Sequence, residues 1–74
     1  MLTKFMVVSL RGVAVRHGDG FGAGWLLANP MEPPPPHLLT WDTADGARKF
    51  AGMNGGTVIT VTEYFYSPRQ AAVN

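Results

Sequence analysis

The sequence predicts an α+β domain: a small, mostly antiparallel sheet of three to four strands with one helix packed on one face, in the order ββ(β)αβ. Three observations carry this expectation. Runs rich in β-branched and aromatic residues lie near both ends, at 2–15 and 57–66. Between them a single window, 43–53, repeats its apolar residues at helical spacing. The connections hold most of the nine Gly and six Pro of the 74 residues, the residue types that turn or stiffen a chain.

Residues 2–10 place Phe5 and Val7 on one face and Met6, Val8 and Leu10 on the other, as expected of a central strand buried on both faces. Gly12, inside the continuing pattern Val13, Ala14, Val15, predicts a bulge or bend, so the first strand reads as long and kinked. The glycine-alternating segment 18–24 turns the chain. Trp25, Leu26, Leu27 and Ala28 then form a second strand antiparallel to the first, ended by Asn29 and Pro30. Four successive prolines, 33–36, make a polyproline II spacer. Residues 37–41 read as extended.

Asp42 or Thr43 caps a helix over 43–53, with Asp45 in the first turn, where the helix dipole favours negative charge. Ala44, Ala47, Phe50 and Ala51 form its apolar stripe; Asn54 and Gly55 end it. The last strand is expected over 57–66, with Ile59, Val61 and Phe65 toward the core and Val58, Thr60, Thr62, Tyr64 and Tyr66 on the opposite face. A chain this short holds one core, so 1–74 reads as a single domain with a frayed tail at 67–74.

Composition narrows the function classes. Absence of Cys removes disulfide frameworks and thiolate metal sites and fits a reducing, cytoplasmic setting. Arg11 and Gly12 interrupt the apolar run after Lys4 too early for a secretory signal, and no window approaches a membrane span. Six Lys and Arg against five Asp and Glu leave a net charge of +1, too little for a broad duplex-binding footprint. The charges are uneven, however. Lys4, Arg11 and Arg16 precede every acidic residue, so a basic edge is expected on the first strand.

The chain imitates one chemical motif. Gly18, Gly20 and Ala23 match the dinucleotide fingerprint, with Asp42 downstream. That motif requires a helix opening at the third small residue, and Gly24 and Pro30 leave no room for one. No Gly-Lys-Ser/Thr follows to make a P-loop. His17, Asp19 and His37 lack metal-ligand spacing, and Ser9 and Ser67 lack a nucleophile elbow. No cofactor, metal or catalytic set is therefore expected, and the chain reads as a non-enzyme.

Two surfaces remain as binding candidates. Pro30, Pro33 and Pro36 satisfy PxxP twice, a pattern that SH3-like grooves read and that also makes a plain spacer. The other is the Thr60, Thr62, Tyr64 and Tyr66 face with Arg69 beyond it, since aromatic and Arg residues concentrate at interface hot spots; the same face reads equally well as one covered by another part of the chain.

The segment running from Trp41, Asp42 and Thr43 through Arg48, Lys49, Phe50 and Ala51 to Gly55, Gly56 and Thr57–Val61 resembles a capped A-x-x-F-A helix leading into a strand. That module is associated with small accessory proteins of bacteria and their phages. In size, lack of Cys and α+β make-up, the chain is similar to phage-encoded anti-CRISPR inhibitors. The resemblance implies an inhibitor acting in the cytoplasm of a host bacterium, occupying a functional surface of a host protein or ribonucleoprotein complex. That class has no shared motif, so no residue role is carried over.

The leading expectation is a non-enzymatic protein-binding module, with Lys4, Arg11, Arg16, Arg48, Lys49, Tyr64, Tyr66 and Arg69 as candidate partner-binding residues. Weak nucleic-acid binding through the same basic residues is the second reading. A self-associating structural protein, pairing edges or faces in a dimer, is the third; across the three readings the chain is expected as a monomer or homodimer.

Overall fold

The structure, a computed structural model, describes residues 3–17 and 22–65. Gly18 and Gly20 of the glycine loop, Tyr66, Arg69 and the tail 67–74 lie outside the described residues. The fold is α+β. Four strands form one antiparallel sheet: β1 (Phe5–Ser9), β2 (Gly12–Arg16), β3 (Ala23–Leu26) and β4 (Thr57–Thr60), in the spatial order β3-β2-β1-β4. Helix α1 (Ala44–Asn54) packs over β1 and β4, and a single helical turn, α2 (Val61–Tyr64), follows β4.

β1 is the central strand that its alternation predicts. Phe5 and Val7 face α1, in a core with Ala14, Ala47, Phe50, Val58, Trp25 and Trp41. Met6 and Val8 face the other way, in a second core with Val13, Val15, Ile59, Val61 and Phe65. Met6, Val7, Val13, Ala14 and Ala47 are fully buried. The sheet is thus the middle layer of a small sandwich, with α1 on one side and α2 with Leu38 and Ala28 on the other.

Two expectations are corrected. The long kinked first strand is a hairpin: β1 and β2 pair antiparallel, Val8 with Val13 and Ser9 with Gly12, around a turn at Leu10 and Arg11. Among the described residues only glycines have positive φ, so Leu10 and Arg11 cannot form the primed turn of the tightest hairpins. Gly12 at φ +118° takes up the twist instead. Its missing side chain also matters, because a Cβ there would stand 2.2 Å from the Leu26 carbonyl oxygen. Leu10, expected in the core, is therefore fully exposed in the turn.

The expected last strand stops at Thr60. The Thr60 hydroxyl accepts from the Glu63 N–H at 3.2 Å while the Glu63 carboxylate accepts from the Thr60 N–H at 2.8 Å, a reciprocal capping box that starts α2. Helical spacing then replaces alternation, so Val61, Tyr64 and Phe65 fall on one side and close the second core together. Thr60, Thr62 and Tyr64 therefore do not share a strand face.

The hairpin opens away from its turn, and residues 37–41 fill the gap. Leu38 bridges Val15 and Trp41 bridges Phe5, with Phe5 and Trp41 exchanging both backbone bonds at 2.9 Å. Thr43 caps α1 by accepting from the Gly46 N–H at 3.2 Å, and Gly55, at φ +87°, stops it with its N–H on the Ala51 carbonyl at 2.7 Å.

Candidate interaction surface

The β1–β2 turn and the C-terminal end of α1 lie on either side of an open groove of about 640 Å³. Trp25 contributes apolar surface; Leu10 and Arg11 form one rim, and Asn54, Gly55 and Gly56 form the other. The turn is held locally: the Arg11 N–H donates to the Ser9 hydroxyl at 3.0 Å, and Gly12 lies under the Leu26 peptide. That bond leaves the Leu10 side chain and the Arg11 guanidinium projecting from a fixed backbone. On the opposite rim, the Asn54 side-chain amide donates to the Phe50 carbonyl at 3.1 Å, closing the last helical turn without a basic residue. Met53, beside this rim, is 86% exposed. The lining brings one cation, two hydroxyls (Ser9 and Thr57) and an indole to an apolar recess, which suits an apolar side chain flanked by a hydrogen-bond acceptor.

The structure does not gather the sequence-predicted basic residues. Lys4, just before β1, pairs with Asp42 ahead of α1, tying the first strand to the helix start. Arg16 ends β2 at the same end of the sheet, while Arg11 is at the opposite end, in the turn. The expected basic edge is thus divided between the two ends of a hairpin. Arg48 and Lys49 stand exposed on α1, with Arg48 on Asp45 at 2.6 Å across one helical turn. Tyr64 is half-buried, edge-on to Phe65 at 4.9 Å between ring centroids, with its hydroxyl 3.4 Å from the Ala28 carbonyl. It is a packing residue.

The proline segment is not one continuous polyproline II ligand. Turns at 30–31 and 36–37 bracket it: the Met31 N–H donates to the Asn29 side chain at 2.9 Å and the Leu38 N–H to the Pro35 carbonyl at 3.1 Å. Prolines 34–36 instead wall a second groove of about 500 Å³ with Lys4, Leu38 and Val61. Ala23 of the apparent dinucleotide fingerprint opens a strand and not a helix.

Sequence reasoning missed Leu10, Met53 and Trp25 as surface features. The signal present in the sequence is Gly12, which can carry the positive φ of a hairpin turn; nothing in Leu10 itself marks it as exposed. No protein family matches the chain, and comparison with curated proteins and with solved structures finds no match. Among the described residues no helix is long and apolar enough to cross a membrane.

Proposed function

We propose that this chain is a non-enzymatic protein-binding module that docks through the tip of the β1–β2 hairpin. The observation that carries the reading is Leu10, fully exposed on a turn braced by Ser9 and Gly12, beside Arg11 and above the Trp25 recess. An apolar side chain held in water on a braced turn gains from burial without the entropy cost of ordering a loop. Arg and Trp add the planar, hydrogen-bonding surface typical of interface anchors. The complementary partner surface is an apolar knob beside a carboxylate.

The inhibitor class implied by the resemblance is a particular case of this proposal, in which the partner is a CRISPR-Cas type complex of the host. The nucleic-acid reading has less support, because Lys4 and Arg48 already face carboxylates and, among the described residues, Arg11 and Arg16 lie at opposite ends of the sheet. A tagged wild-type chain expressed in bacteria should recover one defined partner. That partner, once purified, should bind the Leu10→Asp/Arg11→Glu variant at least about tenfold more weakly than wild type. Equal binding removes the hairpin tip from the proposal, and the absence of any defined partner removes the proposal itself.

A further inference from the structure

The outer edge of β3 is the least protected backbone among the described residues. Ala14 and Arg16 of β2 spend their backbone groups on the side away from β3: the Leu39 N–H donates to the Ala14 carbonyl at 3.0 Å, and the Arg16 N–H donates to the His37 carbonyl at 2.9 Å. Each strand residue points its N–H and C=O to one side, and in an antiparallel ladder the residue opposite such a position also turns away. The residues opposite Ala14 and Arg16 are Trp25 and Ala23. β3 ends the strand order, so the backbone groups of Ala23 and Trp25 face outward with no described strand beyond them.

Protein edges are ordinarily blunted with lysine, proline, bulges or a covering element. Residues 22–29 contain no charge and no proline, and Leu26 and Leu27 stand 39% and 79% exposed. The other edge differs, since β4 starts after two positive-φ glycines and ends in the helical turn of α2.

The segment is complementary to itself when reversed. Placing Trp25 opposite Trp25 of a second copy sets Ala23 against Leu27 and Gly24 against Leu26, so each leucine meets a small residue. The outward-facing backbone groups of Trp25 then pair across the two-fold axis. No like charges meet, because the segment has none.

We infer that a second copy of this chain pairs antiparallel along β3, extending the sheet across a two-fold axis at Trp25. The interface is isologous and closes on itself, so it yields a dimer rather than a filament. It does not use Leu10 or Arg11; it shares Trp25 with the hairpin-tip recess, which the indole lines while the Trp25 backbone makes the strand pairing.

Sedimentation of the full chain from about 1 µM to about 1 mM tests it, a span that brackets weak strand-pairing affinities. Wild type should shift from monomer to dimer. Leu27→Lys, a change at an exposed side chain, should weaken the dimer by about tenfold or more by burying a charge beside the axis. The double variant Ala23→Glu/Leu27→Lys sets the introduced carboxylate of one copy opposite the introduced ammonium of the other and should recover much of that loss. A strictly monomeric wild type, a Leu27→Lys variant that dimerises as tightly as wild type, or a double variant no tighter than the single one overturns the inference. A Leu10→Asp/Arg11→Glu variant that still dimerises keeps this result separate from partner binding.

Discussion

Gly12 holds two constraints in one residue, and they act together. Its φ of +118° excludes side chains on backbone grounds, and the Leu26 carbonyl occupies the place of a Cβ. A side chain there would have to strain the turn and push β3 from β2. Gly12→Ala is expected to lose at least about 2 kcal/mol, from left-handed strain alone of about 1 to 3 kcal/mol plus the steric displacement. Gly52 is the internal control: it lies on the exposed side of α1, where a Cβ would meet no atom within 4 Å. Gly52→Ala should stabilise by about 0.5 to 1 kcal/mol through helix propensity and unfolded-state entropy. Urea denaturation of the two variants checks both signs, and equal shifts would show that the two glycines differ less than their surroundings do.

At the scale of elements, the junction of β4 and α2 has the clearest chemical signature. The Glu63 carboxylate is held below its ordinary pKa, first by the backbone N–H of Thr60 and then by the Thr60 hydroxyl, which donates to it at 2.7 Å. A carboxylate with a depressed folded-state pKa stabilises the fold above its unfolded pKa and loses that contribution as pH falls through the folded value. The stability difference between wild type and Glu63→Gln should therefore shrink on acidification through and below the ordinary carboxylate range. Thermal melts at several pH values measure it, and a difference that stays constant with pH would mean the carboxylate charge adds nothing to the cap. Thr60→Ala, which removes the N-cap acceptor itself, should cost about 1 kcal/mol. The same junction shows why part of the fold was legible and part was not. The continuous apolar run Phe5, Met6, Val7 and Val8 marked a strand buried on both faces, although β1 spans Phe5–Ser9 and not the whole of 2–10. The α1 stripe and its Thr43 cap were equally plain. Val61 and Thr62, however, have strand propensity, and only the capping pair Thr60 and Glu63, three residues apart, reveals that the backbone turns helical there. The β1–β2 turn was hidden for a related reason: Leu10 and Arg11 are not turn residues, and the conformational burden falls on Gly12 after them. With the hairpin unseen, Leu10 read as core and Arg11 as part of a strand edge, so the candidate site could not be assembled from sequence.

For the whole molecule, the decisive feature is a sheet covered by unequal layers. One side carries the eleven-residue α1, anchored by Ala47 and Phe50, with Phe50 against Trp25 and Trp41 at 6.1 and 5.2 Å between ring centroids. The other side is closed by much less: a four-residue helical turn, Leu38, Ala28 and the buried ring of Phe65. A 74-residue domain has a total stability of about 4 to 11 kcal/mol at typical per-residue values, and its small core places it toward the lower part of that range. Truncating a buried phenylalanine costs about 3 to 5 kcal/mol, so Phe65→Ala should remove a large fraction of the total. It should act on the second core first, because Phe65 packs with Met6, Val13 and Val15 and not with the α1 side. Leu10→Ala, an apolar truncation at a fully exposed turn residue, should leave stability within about 0.5 kcal/mol of wild type. Denaturation of the two variants separates the scaffold from the surface it displays. A Leu10→Ala cost comparable to that of Phe65→Ala would place Leu10 in the core and remove the exposed apolar tip on which the docking proposal rests.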